Sequence, residues 1–150
     1  MALLRGESVK FMLAAAASAA MVAGGLGAGV AQAESAPGCA STVQIGSTAY
    51  AKFQGQDIAS VKQFKGCGKN WAYVYVWESF RARGLHYLLT AAVEVNPGPN
   101  ATYKGGKDKL GDPVELWSSG TDTLSDCTAG YGLISLYQYD NYPAWTDTRC

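Results

Sequence analysis

The chain has 150 residues, and its twelve lysines and arginines are matched by twelve aspartates and glutamates. Because the net charge is zero, the sequence offers no general electrostatic attraction to nucleic acid or to an anionic membrane surface. We therefore expect no nucleic-acid partner and no binding to a charged membrane. The length fits one compact domain behind a leader segment.

The first 33 residues have the features of a secretory signal peptide. Arg5 and Lys10 precede an uncharged run at 11–30 that is dominated by alanine and glycine, and Ala31–Ala33 supplies the small residues that a signal peptidase recognises. A membrane anchor is the alternative, but anchors are richer in leucine and isoleucine. We predict a signal peptide over 1–33 and a single secreted domain over 34–150, with a net charge of about −1 and no membrane span after cleavage.

All four cysteines, Cys39, Cys67, Cys127 and Cys150, lie in the part that is predicted to be exported. An even number of cysteines in a small secreted chain indicates disulfide bonds, and three pairings are possible. We favour Cys39–Cys67 with Cys127–Cys150, because each bond then closes a local loop. A zinc site is the alternative, but it would need a CxxC-type pair or histidine ligands that this sequence lacks.

Short segments with a two-residue period, separated by glycine-rich turns, make up the rest of the chain. This pattern predicts an all-β fold, a small antiparallel sandwich or barrel of about six to seven strands stapled by disulfides. In chain order, the predicted strands are TVQIGSTAYAKF, IASVKQF, WAYVYVWESF, LHYLLTAAVEV, VELW and YGLISLYQY. The proline- and glycine-rich segment 96–113 is predicted to be a long loop, and DNYPAWTDTRC is predicted to be irregular.

The segments on either side of Arg83 and Gly84 look like a β-hairpin whose register can be deduced. A three-residue loop asks for a positive φ only of Gly84, whereas a two-residue loop would ask it of Arg83 as well. The three-residue loop pairs Arg81 with Leu85 and so fixes which side chains share a face. One face then contains Trp71, Tyr73, Tyr75, Trp77, Leu85, Tyr87, Leu89, Ala91, Val93 and Val95.

That face is the more apolar of the two, so we predict that the aromatic row of Trp71, Tyr73, Tyr75 and Trp77 is part of the core. The alternative is an exposed stacking platform for sugar rings. It stays open because the opposite face, which includes Val74, is not polar either.

Few side chains are candidates for catalysis. His86 is the one histidine of the chain, and no GxSxG nucleophile motif accompanies it. In the predicted hairpin Glu78 and Glu94 share a face, but they lie about 20 Å apart, which is too far for a glycosidase pair. We expect no catalytic activity, no cofactor and no metal. A small secreted hydrolase that uses Glu78, Glu94 or Glu115 is an alternative.

The predicted loop at 96–113 is the candidate binding segment, because loops of this length in compact domains are often functional. Its candidate residues are Asn96, Asn100, Tyr103, Lys104, Lys107, Asp108 and Lys109. The segment lacks the spacing of a phosphate-binding loop or of a calcium loop. A protease-inhibitor-like protein that presents this loop to its target is a further alternative.

The stretch 38–77 contains, in order, the predicted strand VKQF, Cys67 and the pair Trp71–Ala72. This order resembles a domain family of unknown function in small secreted proteins of streptomycetes and related actinobacteria. Tyr73 stands where that family has an arginine, and the likeness covers about forty residues and does not include the C-terminal half from Gly84 onward. The resemblance implies an extracellular β-rich domain with a structural Cys–Trp pair, and it implies no activity.

These patterns together predict a secreted, non-catalytic β-domain that binds an extracellular or cell-envelope ligand. That ligand is either a cell-wall carbohydrate or a protein, and the sequence does not choose between them. A toxin or a spore-surface component is a further class that the sequence leaves open.

Overall fold

The computed structural model describes residues 35–138 and 140–150, and the predicted signal peptide over 1–33 lies outside this part of the chain. The described residues form eight strands and one short helix. The strands are β1 (Val43–Phe53), β2 (Gln56–Gly66), β3 (Lys69–Val76), β4 (Tyr87–Val95), β5 (Thr102–Lys109), β6 (Glu115–Trp117), β7 (Thr128–Leu136) and β8 (Asn141–Trp145), and the helix is α1 (Glu78–Arg81). No helix in these ranges has the length and apolar character needed to span a membrane.

The strands form two antiparallel four-stranded sheets, which confirms the predicted all-β class. Sheet A has the order β1-β2-β3-β6, and sheet B has the order β5-β4-β7-β8. The N–H of Ser119, just after β6, donates to the carbonyl of Gly105 in β5 over 2.8 Å. On the other side, the N–H of Ser47 in β1 donates to the carboxylate of Asp147, just after β8. The edges of the two sheets therefore meet on both sides.

Two-residue turns join the first three strands. Gln54 and Gly55 have positive φ values of 51° and 78°, and Cys67 and Gly68 repeat the pattern with 51° and 71°. Positive φ at both central residues defines a type I′ turn, whose twist matches that of the flanking strands. The second turn carries Cys67, so its disulfide bond to Cys39 ties the turn to the segment that precedes β1.

The predicted hairpin between β3 and β4 is wrong. β3 pairs with β2 and β6, whereas β4 pairs with β5 and β7, so the two segments lie in different sheets. The helix α1 connects them, and within it the N–H of Arg81 donates to the carbonyl of Trp77 over 3.0 Å. Because a helical turn carries the chain from one sheet to the other, no register relates the faces of β3 and β4. The alternation of side chains between the two faces is a property of a single strand, so it does not show which strand is the partner.

The predicted long loop at 96–113 and the predicted irregular end are also wrong. Thr102–Lys109 is the edge strand β5, paired with β4, and Asn141–Trp145 is the edge strand β8, paired with β7. Glycine, proline and lysine are depleted in strands generally, but proline and lysine are typical of edge strands, which they protect from pairing with other chains. Because of this composition, the sequence did not indicate that the edge segments β5 and β8 of sheet B are strands.

The main core lies between the two sheets. On β4 the core face is the predicted one, since the alternate residues Tyr87, Leu89, Ala91, Val93 and Val95 are all buried. On β3 it is the opposite of the predicted face and consists of Ala72, Val74 and Val76. The other members of the main cluster are Ala51, Phe53, Ile58, Ala59, Val61, Phe80, Ile134, Leu136 and Ala144.

Both favoured disulfide bonds are present in the structure. Cys39 is bonded to Cys67 and Cys127 to Cys150, and no free cysteine exists among the residues that the structure describes. The bonds span sequence separations of 28 and 23 residues. The second bond ties the segment after β8 to the start of β7.

Loss of the second bond should destabilise the fold. A loop of this length stabilises a protein by about 3.5 kcal/mol in the chain-entropy treatment. We expect the double substitution Cys127→Ala, Cys150→Ala to lower the free energy of unfolding by about 3 kcal/mol, measured by urea denaturation. An unchanged denaturation midpoint would contradict this expectation.

Tyr87 is a buried tyrosine at the end of the core next to α1. Its hydroxyl donates to the carbonyl of Pro113 over 3.0 Å, and its side chain belongs to the main core cluster. Burial, followed by the negative charge of Asp112, raises the pKa of Tyr87 to about 12 from an ordinary value of 10.0. The phenol is therefore neutral in the folded protein wherever free tyrosine is neutral.

The raised pKa of Tyr87 predicts an alkaline loss of stability. Its contribution is fully present below the unfolded pKa of 10.0 and is lost as the pH rises through the folded pKa of about 12. We expect the free energy of unfolding of the wild-type protein to fall across this window more steeply than that of Tyr87→Phe. Parallel falls in the two proteins would show that Tyr87 does not carry the effect.

Candidate ligand-binding site

The four rings of the predicted aromatic row lie in different environments, three of them on β3 and Trp77 just after it. Trp71 and Tyr73 are 8% and 4% exposed, Tyr75 is half-buried, and Trp77 is 41% exposed beside α1. The two buried rings lie on the outer face of sheet A, away from the core between the sheets. The prediction that this row belongs to the core is therefore correct in that Trp71 and Tyr73 are buried. It is wrong about their surroundings, because the two rings pack in the outer cluster of sheet A and not between the sheets.

A cover closes this outer aromatic cluster of sheet A. Phe64 and Trp117 complete the cluster, with ring centroids 5.0 Å apart, and Ala36 and Cys39 pack against it from the segment before β1. The disulfide bond between Cys39 and Cys67 holds that segment in place. Because the four rings of the cluster are at most 9% exposed, it offers a ligand no ring face.

The outer face of sheet B carries a second aromatic cluster, and this one is open to solvent. Tyr103 of β5, Tyr131 of β7 and Trp145 of β8 lie side by side, with centroids 4.9 Å apart between the tyrosines and 5.2 Å apart between Tyr131 and Trp145. Tyr103 and Trp145 are 49% and 44% exposed. In β4, Ala92 stands opposite Tyr131, so the two tyrosine rings can meet above a small side chain. We call these three rings the sheet B aromatic face.

Hydrogen bonds orient the rings of this face. The indole Nε1–H of Trp145 donates to the hydroxyl oxygen of Tyr103 over 3.2 Å, and that hydroxyl donates to Oε1 of Glu94 over 3.1 Å. Glu94 is the register partner of Tyr103 and is 9% exposed, so a carboxylate lies beside the aromatic edge. On the same face Asp108 accepts a hydrogen bond from the hydroxyl of Thr90.

The electrostatic field over the sheet B aromatic face is negative. Burial raises the pKa of Tyr131 above its ordinary value, and Tyr103, Asp108 and Glu94 raise it further. Burial is also the largest cause of the raised pKa of Tyr103, where the hydrogen bond from Trp145 acts in the opposite direction and Glu94 adds to the rise. Both phenols are therefore neutral at physiological pH, and the face suits an uncharged ligand better than an anion.

The seven predicted binding residues do not share one surface. Tyr103 and Asp108 lie on the outer face of sheet B, whereas Asn96 and Asn100 lie exposed in the turn before β5. The three lysines pair with core-facing residues of β4 and point to the other side of the edge strand: Lys104 with Val93, Lys107 with Ala91 and Lys109 with Leu89. Inward-pointing charges of this kind protect an edge strand from pairing with other chains.

The three candidate glutamates lie apart from one another. Glu78 is exposed in α1, Glu94 lies on the outer face of sheet B, and Glu115 accepts a hydrogen bond from the Tyr73 hydroxyl over 2.5 Å on the outer side of sheet A. Because Glu94 and Glu115 face outward from different sheets, they do not form a glycosidase pair. His86 is exposed, with Nδ1 2.7 Å from Oδ2 of Asp112.

Sequence reasoning did not identify Tyr131 or Trp145 as site residues. A usable signal exists in β7, where Tyr131 stands between Gly130 and Gly132. Two glycines on one face of a strand often mark a close approach of backbone or side chains, and the residue between them then faces the other way. The position of Trp145 next to Tyr131 follows only from the pairing of β7 with β8.

In comparisons with known proteins, no protein-family model, no curated protein and no solved structure matches this chain. The resemblance to streptomycete-type secreted proteins therefore stays a prediction. Among the described residues, no three or more histidine, cysteine, aspartate or glutamate side chains come together as a metal site would require.

Proposed function

We propose that the protein is a secreted, non-catalytic binding domain whose sheet B aromatic face holds an uncharged carbohydrate chain at or outside the cell envelope. The observation that carries this proposal is the contrast between the two aromatic clusters. The cluster on sheet A is covered to at most 9% exposure, whereas Tyr103 and Trp145 are nearly half exposed. Exposed groups of large aromatic side chains are typical of surfaces that bind a partner.

The chemistry of the face matches the two kinds of surface on a sugar ring. The C–H groups of a sugar pack on aromatic rings, and its hydroxyl groups donate to carboxylates. Tyr103 and Trp145 supply ring surface, while Glu94 and Asp108 supply acceptors beside it. No repulsion arises with an uncharged sugar, whereas a uronic acid or a phosphate would meet the negative field of the two carboxylates.

The tilt of the rings favours one form of carbohydrate. The ring planes of Tyr103 and Tyr131 differ by 56°, and those of Tyr131 and Trp145 differ by 44°. Rings that are tilted by such angles cannot lie flat together on the planar surface of a crystalline polymer. A single, soluble chain is therefore the better fit.

Two further features support export of this domain. Disulfide bonds form and persist in oxidising compartments, and the described part of the chain contains two. The predicted signal peptide over 1–33 supplies the route. The protease-inhibitor and hydrolase alternatives lose support, because the predicted inhibitor loop contains the strand β5 and the candidate glutamates do not converge.

A carbohydrate panel tests the proposal. The domain over 34–150 is applied to insoluble peptidoglycan, chitin and cellulose, and its migration is compared in gels that contain soluble neutral or acidic polysaccharides. We expect retardation by at least one soluble neutral polysaccharide, with less retardation of Tyr103→Ala. Absence of binding across the panel would overturn the carbohydrate proposal, and stronger binding to acidic polysaccharides would contradict the assigned face.

A further inference from the structure

The core between the sheets changes from apolar to polar at one end. Gln63, Asn70 and Thr128 are buried there, at 0%, 2% and 1% exposure. The side-chain amide of Gln63 donates to the Thr128 hydroxyl over 2.6 Å, and Nδ2 of Asn70 donates to the carbonyl and hydroxyl oxygens of Thr123, each over 3.0 Å. A buried polar network stabilises a fold only if each of its members is satisfied.

One atom of this network has no partner. Oδ1 of Asn70 is buried and accepts no hydrogen bond from any described residue. The backbone groups of Asn70 are engaged, since its N–H and its carbonyl bond to Thr121 over 3.0 and 2.9 Å. A buried acceptor without a donor destabilises the folded state, so its presence requires an explanation. A ligand that donates a hydrogen bond to Oδ1 would supply one.

Asn70 lies in the wall of a cleft of about 400 Å³ at this end of the sandwich. Lys65 is the register partner of Asn70, so the two side chains are neighbours on the inner side of sheet A. Thr128 and Arg149, joined by two backbone hydrogen bonds of 2.7 Å, form part of the wall on the side of sheet B. The acidic Asp126 also lines the cleft. The volume of the cleft is in the range of sites that bind small molecules.

Two charges of this wall are not neutralised within the described part of the chain. Lys65 and Asp126 form no ion pair with any described residue, whereas Arg149 is paired with Asp147 over 2.5 Å. The cleft is therefore lined by an unpaired cation, an unpaired anion and the residue that carries the buried acceptor. A molecule that carries one positive and one negative group complements all three.

We propose that this cleft binds a small zwitterion of amino-acid or dipeptide size. Its ammonium group donates to Oδ1 of Asn70 and faces Asp126, and its carboxylate faces Lys65. The site lies at the end of the inter-sheet core, apart from the outer face of sheet B, and it does not depend on the proposed carbohydrate function.

Three peptides of nearly equal size test the proposal by NMR titration of the domain. Ala-Ala carries both charges, N-acetyl-Ala-Ala lacks the ammonium group, and Ala-Ala-amide lacks the carboxylate. We expect Ala-Ala to shift the backbone amides of Thr121 and Thr128 in a saturable way, and each capped peptide to bind at least about tenfold more weakly.

Charge-removing variants assign each end of the peptide while leaving Asn70 and its structural bonds to Thr123 intact. In Lys65→Gln the preference for Ala-Ala over Ala-Ala-amide should vanish, and in Asp126→Asn the preference over N-acetyl-Ala-Ala should vanish. Lys109→Gln, an exposed lysine on β5, is the matched control and should bind like the wild type. No saturable shift with about 10 mM Ala-Ala, or equal affinity for the three peptides, would overturn the proposal.

Discussion

Replacement of Gly132 by alanine should destabilise the protein by about 3 kcal/mol, because the two sheets are in direct contact at this residue. A Cβ atom on Gly132 of sheet B would lie 2.5 Å from Cγ2 of Val61 and 2.6 Å from Cγ2 of Val74, both on sheet A. Both valines are fully buried, so their side chains have no free space into which to move. The added methyl group must therefore separate the sheets or force the valines out of their preferred rotamers.

Gly106 provides the matched control for this substitution. It lies in β5 of the same sheet, and a Cβ atom there would meet only the Cβ of Ala92, at 3.9 Å. Alanine costs less backbone entropy than glycine, so Gly106→Ala should leave the free energy of unfolding unchanged or raise it by up to about 1 kcal/mol. Urea denaturation of the two variants measures the difference. Equal effects would contradict the placement of β7 against β2 and β3.

Trp145→Ala should weaken binding of the carbohydrate about tenfold to hundredfold, which is about 1.4–2.8 kcal/mol. The substitution removes an exposed ring and also the hydrogen bond from its Nε1–H to the Tyr103 hydroxyl, so the neighbouring ring loses a constraint as well. Calorimetric titration with the soluble carbohydrate that binds most strongly in the panel gives the affinity. Trp145→Phe, which keeps a ring but loses the N–H, should lie between the wild type and the alanine variant.

Trp77→Ala controls for the loss of an exposed tryptophan. Trp77 is 41% exposed, close to the 44% of Trp145, but it lies beside α1, where it contacts Tyr50 with a centroid separation of 6.2 Å. We expect this variant to bind like the wild type. A loss of affinity in Trp77→Ala with no loss in Trp145→Ala would transfer the site to the Tyr50–Trp77 pair.

The local features of this fold could be predicted from the sequence. Two-residue periodicity indicated the all-β class, glycine-rich segments separated the strands, and small loop size favoured the correct cysteine pairing. These features depend on residues that are close in the chain, where turn chemistry and alternation act directly. The core face of β4 also follows from alternation, since Leu89, Ala91 and Val93 are apolar on one side.

The features that could not be predicted depend on strand partners. Alternation shows that Trp71 and Tyr73 share a face, but not that β3 and β4 lie in different sheets. The register of two strands shows which of their side chains share a face only if the strands are hydrogen-bonded to each other. The candidate site could not be predicted for the same reason. Tyr103 was identified as a loop residue, but its neighbours Tyr131 and Trp145 come from strands that are distant in the chain.

The four tryptophans allow a direct test of the claim that the sheet B aromatic face binds a carbohydrate. Each indole N–H gives its own NMR signal, and the rings report on three places: Trp145 on the face, Trp71 and Trp117 in the covered cluster of sheet A, and Trp77 beside α1. On titration with the bound oligosaccharide, we expect the Trp145 signal to shift in a saturable way while the other three stay in place. An unshifted Trp145 signal at saturation, or a shift confined to Trp77, would contradict the claim.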